Sequence, residues 1–324
     1  MDAKSRPSLA TLIKGHIQIA RFDHWVKNVF VLPGIVIPLT FEPFNWSFSL
    51  LWRITIGILS LGLVASSNYV INELMDAPFD RFHPSKSSRP VVQGRISIPL
   101  AYLEWILLGV AGLALALRVS TYLFWTDAVL WGMGCMYNIP PIRTKDVPFI
   151  DVLSESLNNP LRLLAGWFIV TTSVIPPASL LLCYWMVGCY FMGLKRFSEY
   201  RQINDHETAA HYRKSFANYN EISLLTSVMF YAATAMLFFG AFIMRYRLEL
   251  ILSFPFVALV MAVYLRLAFD RDSVVQRPEG LYRQPLLVTS VIGCAIVMLL
   301  LVKVDLPKLH QIFAPTMPTA ASQP

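Results

Sequence analysis

The sequence predicts an all-α integral membrane bundle of nine transmembrane helices with a polar cavity facing the cytoplasm. Three features predict it. Of 324 residues, 56% are apolar and 15% charged, where a soluble globular domain carries about 25% charged residues. Apolar stretches near the roughly 20 residues that cross a hydrocarbon core recur along the chain. The 27 lysines and arginines crowd onto one of the two sides those stretches define. With a mean hydropathy of +0.53, the composition excludes an ordinary soluble enzyme, a disordered chain and a coiled coil.

Residues 1–23 read as a cytoplasmic N-terminal segment. They hold no early apolar run and no small-residue cleavage site, so no signal peptide is expected. Spans are expected near 24–41, 49–71, 98–118, 120–138, 150–175, 178–195, 222–243, 249–269 and 285–303. The first is interrupted by Pro33 and Pro38, which spanning helices tolerate better than soluble ones. Residues 304–324, rich in Pro, Ala, Thr and Ser beyond Lys308, are expected to form a disordered tail. Cys135, Cys183, Cys189 and Cys294 lie in apolar stretches without a CxxC pair, so buried free thiols are expected rather than disulfides or zinc.

Sorted by loop, 20 of the basic residues fall on the side of the N-terminus and five on the other; Arg53 and Arg162 stay inside apolar stretches. The positive-inside rule then puts the N-terminus in the cytoplasm and the C-terminus outside. The net charge of +7 is read as topology. No nucleic-acid-reading motif accompanies it, so no nucleic-acid partner is expected.

The second span ends in SNYVINELMDAPFDRFHPSKSSRP. Asn72, Asp76 and Asp80 stand at i, i+4 and i+8, each step turning about 400°, so they share one helical stripe. Mg²⁺ is usually held by one or two carboxylates plus substrate phosphates. The stripe therefore suits a Mg²⁺–diphosphate site, with His83, Lys86 and Arg89 following to contact phosphate oxygens. Pro78 predicts a kink or an early helix end. The fourth span leads into YNIPPIRTKDVPFIDVLSESLNNPLRLLAGWF, where Asp151, Glu155, Asn158 and Arg162 sit at offsets 0, 4, 7 and 11, again one helical face. Ionisable groups entering a span are costly and so mark function. Both clusters fall on the cytoplasmic side of the predicted topology, where they can face one cavity.

The run N-x-x-x-D-x-x-x-D-x-x-H-P-x-K-x-x-R-P resembles the first signature, NDxxDxxxD, of the UbiA superfamily of intramembrane prenyltransferases, with Glu73 in place of the second-position Asp. The Y-x-x-P-P-x-R-x-K run from Tyr137 to Lys145 is similar to that family's loop before its second motif. K-R-x-x-E from Lys195, R-K-S-x-x-x-Y from Arg213 to Tyr219, HWVKNVFVLPG from His24 and HPSKSSRP from His83 resemble one branch, the decaprenyl-phosphate phosphoribosyltransferases. The resemblance covers nearly the whole chain and makes residues 24–303 the transferase domain.

The resemblance implies a Mg²⁺-dependent transferase moving 5-phosphoribosyl from phosphoribosyl pyrophosphate to a polyprenyl phosphate, an early step toward polyprenyl-phosphate arabinose for envelope or secreted glycoconjugates. It also implies residence in a bacterial inner membrane. Asn72, Asp76 and Asp80 are expected to bind Mg²⁺ with Glu73 assisting. Asp151 and Glu155 are expected to hold a second ion or the ribose hydroxyls, with Asp146 a further candidate. Lys86, Arg89, Lys195 and Arg196 are expected on phosphates, with His83, Lys145 and Arg162 as further substrate contacts. Transfer of a polyprenyl group from its diphosphate to an aromatic or glycerolipid acceptor stays open, since both donors ionise at a carbon bearing diphosphate. A transporter is the non-enzyme alternative. It would place polar groups near mid-membrane, often in inverted repeats, whereas here the acids gather at span ends.

Overall fold

The computed structural model describes residues 8–41, 47–81, 86–203, 207–209, 213–270, 272–276, 278–314 and 316. The helices are α1 (Leu9–Ile19), α2 (Leu32–Phe41), α3 (Phe48–Asp80), α4 (Ile98–Val119), α5 (Thr121–Asn138), α6 (Ile150–Ser156), α7 (Asn158–Val170), α8 (Ala178–Ile203), α9 (Glu221–Tyr246), α10 (Phe254–Ala268), α11 (Pro285–Leu301) and α12 (Pro307–Ile312). No strand occurs among the described residues. Each of the nine apolar stretches falls on helical structure. The first is a 3₁₀ run, Phe22–Val31, leading into α2; the fifth is α6 with α7; the eighth is a 3₁₀ turn, Leu248–Ser253, leading into α10. Among the described residues, five helical segments are long and apolar enough to cross a membrane: α3, α4, α8, α9 and Leu248–Ala268. Large apolar side chains stay exposed along the outer faces, among them Leu103, Leu107, Phe230, Leu237 and Leu300, a surface that lipid covers. The chain is an integral membrane protein.

Local chemistry sets the helix ends. Ser47 caps α3 by accepting the Leu50 amide at 3.2 Å. Ser120 caps α5 through the Leu123 amide at 3.1 Å while its own amide closes the last turn of α4, so a single residue joins the two. Asn220 and Ser223 form a reciprocal capping box at the start of α9, satisfying donors that a helix start leaves without intrahelical partners.

Two elements depart from expectation. α3 runs through Pro78 to Asp80 instead of ending early. Pro78 stands in the last turn, so it removes only the bond to the Leu74 carbonyl and interrupts nothing beyond. The stripe carrying Asp151 to Arg162, expected as one helix, divides at Leu157 between α6 and α7. Pro160 explains the break: it offers no N–H to the Ser156 carbonyl and its ring crowds that position. Within the segment read as a tail, α12 packs its His310 Nε2 against Glu249 at 3.0 Å; residues 317–324 lie outside the described residues.

α3 is the central element, packed along α4 and α5 and touching α7. Its approach to α4 depends on Gly112, where a Cβ would stand 2.7 Å from Val64 Cγ2 and 2.9 Å from the Ser60 carbonyl. There Ser60 bridges the Gly112 carbonyl at 2.8 Å and Asp127 Oδ2 at 2.6 Å, joining α3, α4 and α5. Packing of small residues and hydrogen bonds is what drives helix association where lipid supplies no hydrophobic contrast. Gly112→Val is expected to cost roughly 1–3 kcal/mol through overpacking, read as a lowered melting temperature in detergent. An unchanged melting temperature would show that α4 can yield there.

Candidate active site

The last two turns of α3, the end of α5, the loop 139–149, the turn Lys86–Ser88 and the 3₁₀ turn Lys214–Asn218 that leads into α9 meet at one end of the bundle. They enclose a polar cavity lined by Asp76, Phe79, Asp80, Lys86, Arg143, Lys145, Asp146, Arg213 and Lys214. Five cations and three carboxylates share it, so the cavity carries a surplus of positive charge and attracts anions. A second, apolar cavity, lined by residues such as Ile37, Trp167, Leu180 and Phe242, contains none of these groups.

The α3 stripe is held from α5 and the following loop. Asn72 Nδ2 donates to Asn138 Oδ1 at 2.6 Å, and Lys145 Nζ donates to the same oxygen at 3.1 Å. Asp76 Oδ1 is ion-paired with Lys145 and accepts from Arg143 at 3.1 Å. Asp80 is ion-paired with Arg89. Asp146 lies 3.2 Å from Arg143 Nε and 3.6 Å from Lys214 Nζ. Burial pushes the Lys145 ammonium down to about 8, against the opposing pull of Asp76; burial likewise lowers the value of Lys86. Lys145 is a buried cation, a condition that a nearby anion relieves.

The loop delivering these groups is backbone-strained. Arg143 has φ of 29° and Phe149 has φ of 64°, conformations that cost of order 1–3 kcal/mol each and persist where surrounding contacts impose them. Arg143 meets that condition: it donates to the Asn138 carbonyl at 3.0 Å and lies 5.0 Å above the Phe79 ring. Phe149 is secured by its amide, which donates to the Tyr219 hydroxyl at 2.5 Å.

The second cluster lies directly behind, centred on Arg196 of α8. Asp151, fully buried, accepts from Tyr219 at 2.6 Å, from Arg196 Nε at 3.2 Å and from Ser215 at 3.4 Å. Glu155 accepts from Tyr137 at 2.6 Å and from Arg196 at 2.7 Å, and Glu199 from Arg196 at 3.0 Å. Burial and the Asp151 charge push the Tyr219 phenol up, so it stays a donor. Arg213 joins the clusters: it lines the cavity with Asp76, stands 3.5 Å from Asp151 and donates to Tyr137 at 3.4 Å.

Of the residues singled out in the sequence, the structure brings Asp76, Asp80, Lys86 and Lys145 to the cavity wall, with Asn72 and Arg89 bonded to that shell. Asp151, Glu155 and Arg196 form the second layer, and Lys195 is close enough for its charge to act on Glu155 and Glu199. Glu73 is not with its neighbours. One residue on from Asn72 it points about 100° away, buried against the Val91 amide at 3.3 Å and Arg21 at 3.9 Å. Arg162, carried off by the break at Leu157, is in neither cluster; its buried Nε has no hydrogen-bond partner among the described residues. His83 lies outside the described residues. The cavity also uses Arg143, Arg213 and Lys214, and the second layer Tyr137, Glu199 and Tyr219. Their runs stood out in the sequence, but spacing alone gave them no partners.

The geometry defines a class of helical membrane protein with an anion-attracting polar cavity at one end of the bundle. Residues 29–282 match the model of the UbiA prenyltransferase family, and the chain belongs to that family and is a transferase. Decaprenyl-phosphate phosphoribosyltransferase of Mycobacterium tuberculosis (strain ATCC 25618 / H37Rv) is 29% identical over 224 residues, 69% of this chain and 71% of that protein. Uncharacterized protein y4nM of Sinorhizobium fredii is 28% identical over 160 residues, 49% of this chain, which thus spans only 30% of that relative's length. A UbiA homolog from Archaeoglobus fulgidus bound to DMAPP and Mg2+ superposes with a TM-score of 0.66 at 21% identity, covering 88% of this chain and 99% of that one; the likeness is one of fold.

Proposed function

We propose that this protein is a Mg²⁺-dependent phosphoribosyltransferase that moves 5-phosphoribosyl from phosphoribosyl pyrophosphate to a polyprenyl phosphate. The observation that carries it is the cavity in which Lys86, Arg143, Lys145, Arg213 and Lys214 outnumber Asp76, Asp80 and Asp146. Both substrates are phosphorylated at the reacting end, so together they bring more negative charge than one allylic diphosphate and a neutral acceptor. Similarity to the phosphoribosyltransferase of M. tuberculosis supports the same reading.

Asp76 and Asp80, with Asn72 a turn before, fit a Mg²⁺ site: among the described residues the ion pairs engage Oδ1 of Asp76 and Oδ2 of Asp80, one oxygen of each carboxylate. They are hard oxygen donors on one stripe, and Mg²⁺ needs only one or two carboxylates when substrate phosphates and water complete its shell. Among the described residues no three carboxylates or imidazoles are gathered as a self-sufficient metal site, in keeping with an ion that arrives with diphosphate. When bound, Mg²⁺ would neutralise charge on the departing pyrophosphate. Lys86, Lys145 and Lys214 hold phosphate oxygens as point charges, and Arg143 and Arg213 hold them through paired N–H donors. The acceptor phosphate is already anionic. Its oxygen bonds to ribose C1 as the C1–pyrophosphate bond breaks, and no general base is required.

Nine spans, a cytoplasmic N-terminus and a cavity open to the cytoplasm of a bacterial inner membrane belong to this proposal. The loops forming the cavity lie on the side to which the basic residues crowd, and the lipid acceptor would enter from the bilayer. Supply of arabinose to an envelope or secreted glycoconjugate is the pathway it suggests. Purified protein given Mg²⁺, labelled phosphoribosyl pyrophosphate and polyprenyl phosphate is expected to yield labelled lipid. No labelled lipid, together with product from an allylic diphosphate and an aromatic acceptor, would reassign the enzyme to prenyl transfer.

A further inference from the structure

The carboxylates of the second cluster are committed to one guanidinium and are not free for a metal ion. Arg196 is 1% exposed, and its guanidinium is spent on them: Nε on Asp151 at 3.2 Å, one terminal nitrogen on Glu199 at 3.0 Å, the other on Glu155 at 2.7 Å and Tyr137 at 3.3 Å. Asp151 has both oxygens engaged, one by Tyr219 and the other by Arg196, with Ser215 on that same oxygen. A divalent ion needs such oxygens at about 2.0–2.1 Å in octahedral array, and it would have to share them with a fixed guanidinium in contact with all three carboxylates. Expelling that guanidinium would strand a buried charge. These residues do not fit a second Mg²⁺.

We infer that Arg196 stands as a permanent cation where a second metal ion would sit, and that the cluster it organises positions Arg213 against the substrate diphosphate. The geometry supplies the path. Asp151 and Glu155, both held by Arg196, engage respectively Arg213 itself, at 3.5 Å, and Tyr137, which accepts from Arg213 at 3.4 Å. Arg213 then presents its guanidinium to the cavity that contains Asp76, Asp80 and Lys86. Arg196 and Tyr137 are thus positioning residues. The inference rests on the reading of that cavity as a diphosphate site and holds for either donor.

Inorganic pyrophosphate, the leaving group common to both donors, is the probe. Mn²⁺ titrated into the full-length protein with pyrophosphate and followed by electron paramagnetic resonance is expected to reveal protein-held Mn²⁺ that the Asp76→Asn/Asp80→Asn double variant loses entirely. Mn²⁺ retained by the double variant and released by adding Glu155→Gln would overturn the inference. Wild-type protein that binds no Mn²⁺ would defeat the metal reading of the proposed function and leave the second cluster metal-free, as inferred. Tyr137→Phe tests the positioning. It is expected to weaken pyrophosphate binding about tenfold, the scale of one hydrogen bond to a charged group, with the melting temperature held within a few degrees of wild type. Unchanged pyrophosphate affinity in Tyr137→Phe would sever the link from the cluster to Arg213.

Discussion

Asp76→Asn is expected to insert into membranes normally and to lose turnover by about 10³-fold, the upper range for removal of one preorganised electrostatic group. Asp76 is the carboxylate at which the elements of the site converge. Lys145 is ion-paired with it, Arg143 donates to it at 3.1 Å, and it faces the cavity shared with Asp80. The amide keeps the shape but removes the charge, so it weakens the proposed metal ligand and leaves two buried cations under-compensated. Insertion depends on apolar length, which the substitution leaves alone. Labelled-product formation in isolated membranes, beside extraction at alkaline pH to score integration, checks both halves. Wild-type turnover would remove Asp76 from the proposed metal site. Glu73→Gln is the internal contrast, since Glu73 faces Arg21 and the Val91 amide away from the cavity.

Arg196→Met is expected to be the most destabilising single change in the molecule. Removing one partner of a buried ion pair costs about 3–5 kcal/mol, because the other charge is left unpaired. Arg196 serves three carboxylates, at 3.2, 2.7 and 3.0 Å, from a position that water hardly reaches. The side chains of Asp151 and Glu199 are 0% and 10% exposed, so solvent cannot take over at those two, while Glu155 at 29% keeps partial access to water. Thermal unfolding in detergent reads the loss directly. A melting temperature equal to wild type would mean that the carboxylates take up protons at no cost, and the ionic account of this layer would fail.

Much of the architecture is legible along the chain because bilayer crossing is a demand on length and polarity, and both are linear properties. Each of the nine apolar stretches is helical, and the stripe of Asn72, Asp76 and Asp80 follows from the 3.6-residue period alone. The same period could have set Glu73 apart, since neighbours in a helix diverge by about 100°. Pro160 likewise carried a signal, through the carbonyl four residues earlier, that the Asp151 stripe would break before Arg162. Arg213 offered no such signal. Its worth depends on Tyr137 and Asp151, which are 76 and 62 residues away, and no spacing rule reaches that far.

Helical period and hydropathy were therefore enough to settle, from the order of residues alone, that this chain crosses membranes as helices and carries acidic stripes at span ends. They could not settle which charge neutralises which. Ion pairing is a matter of a few ångströms between side chains on different helices, and in a buried site each carboxylate goes to the cation that the packing brings nearest. So it was the meeting of α3, α6 and α8 with the loops 139–149 and 213–219 that turned one acidic stripe toward an open cavity and closed the other around Arg196.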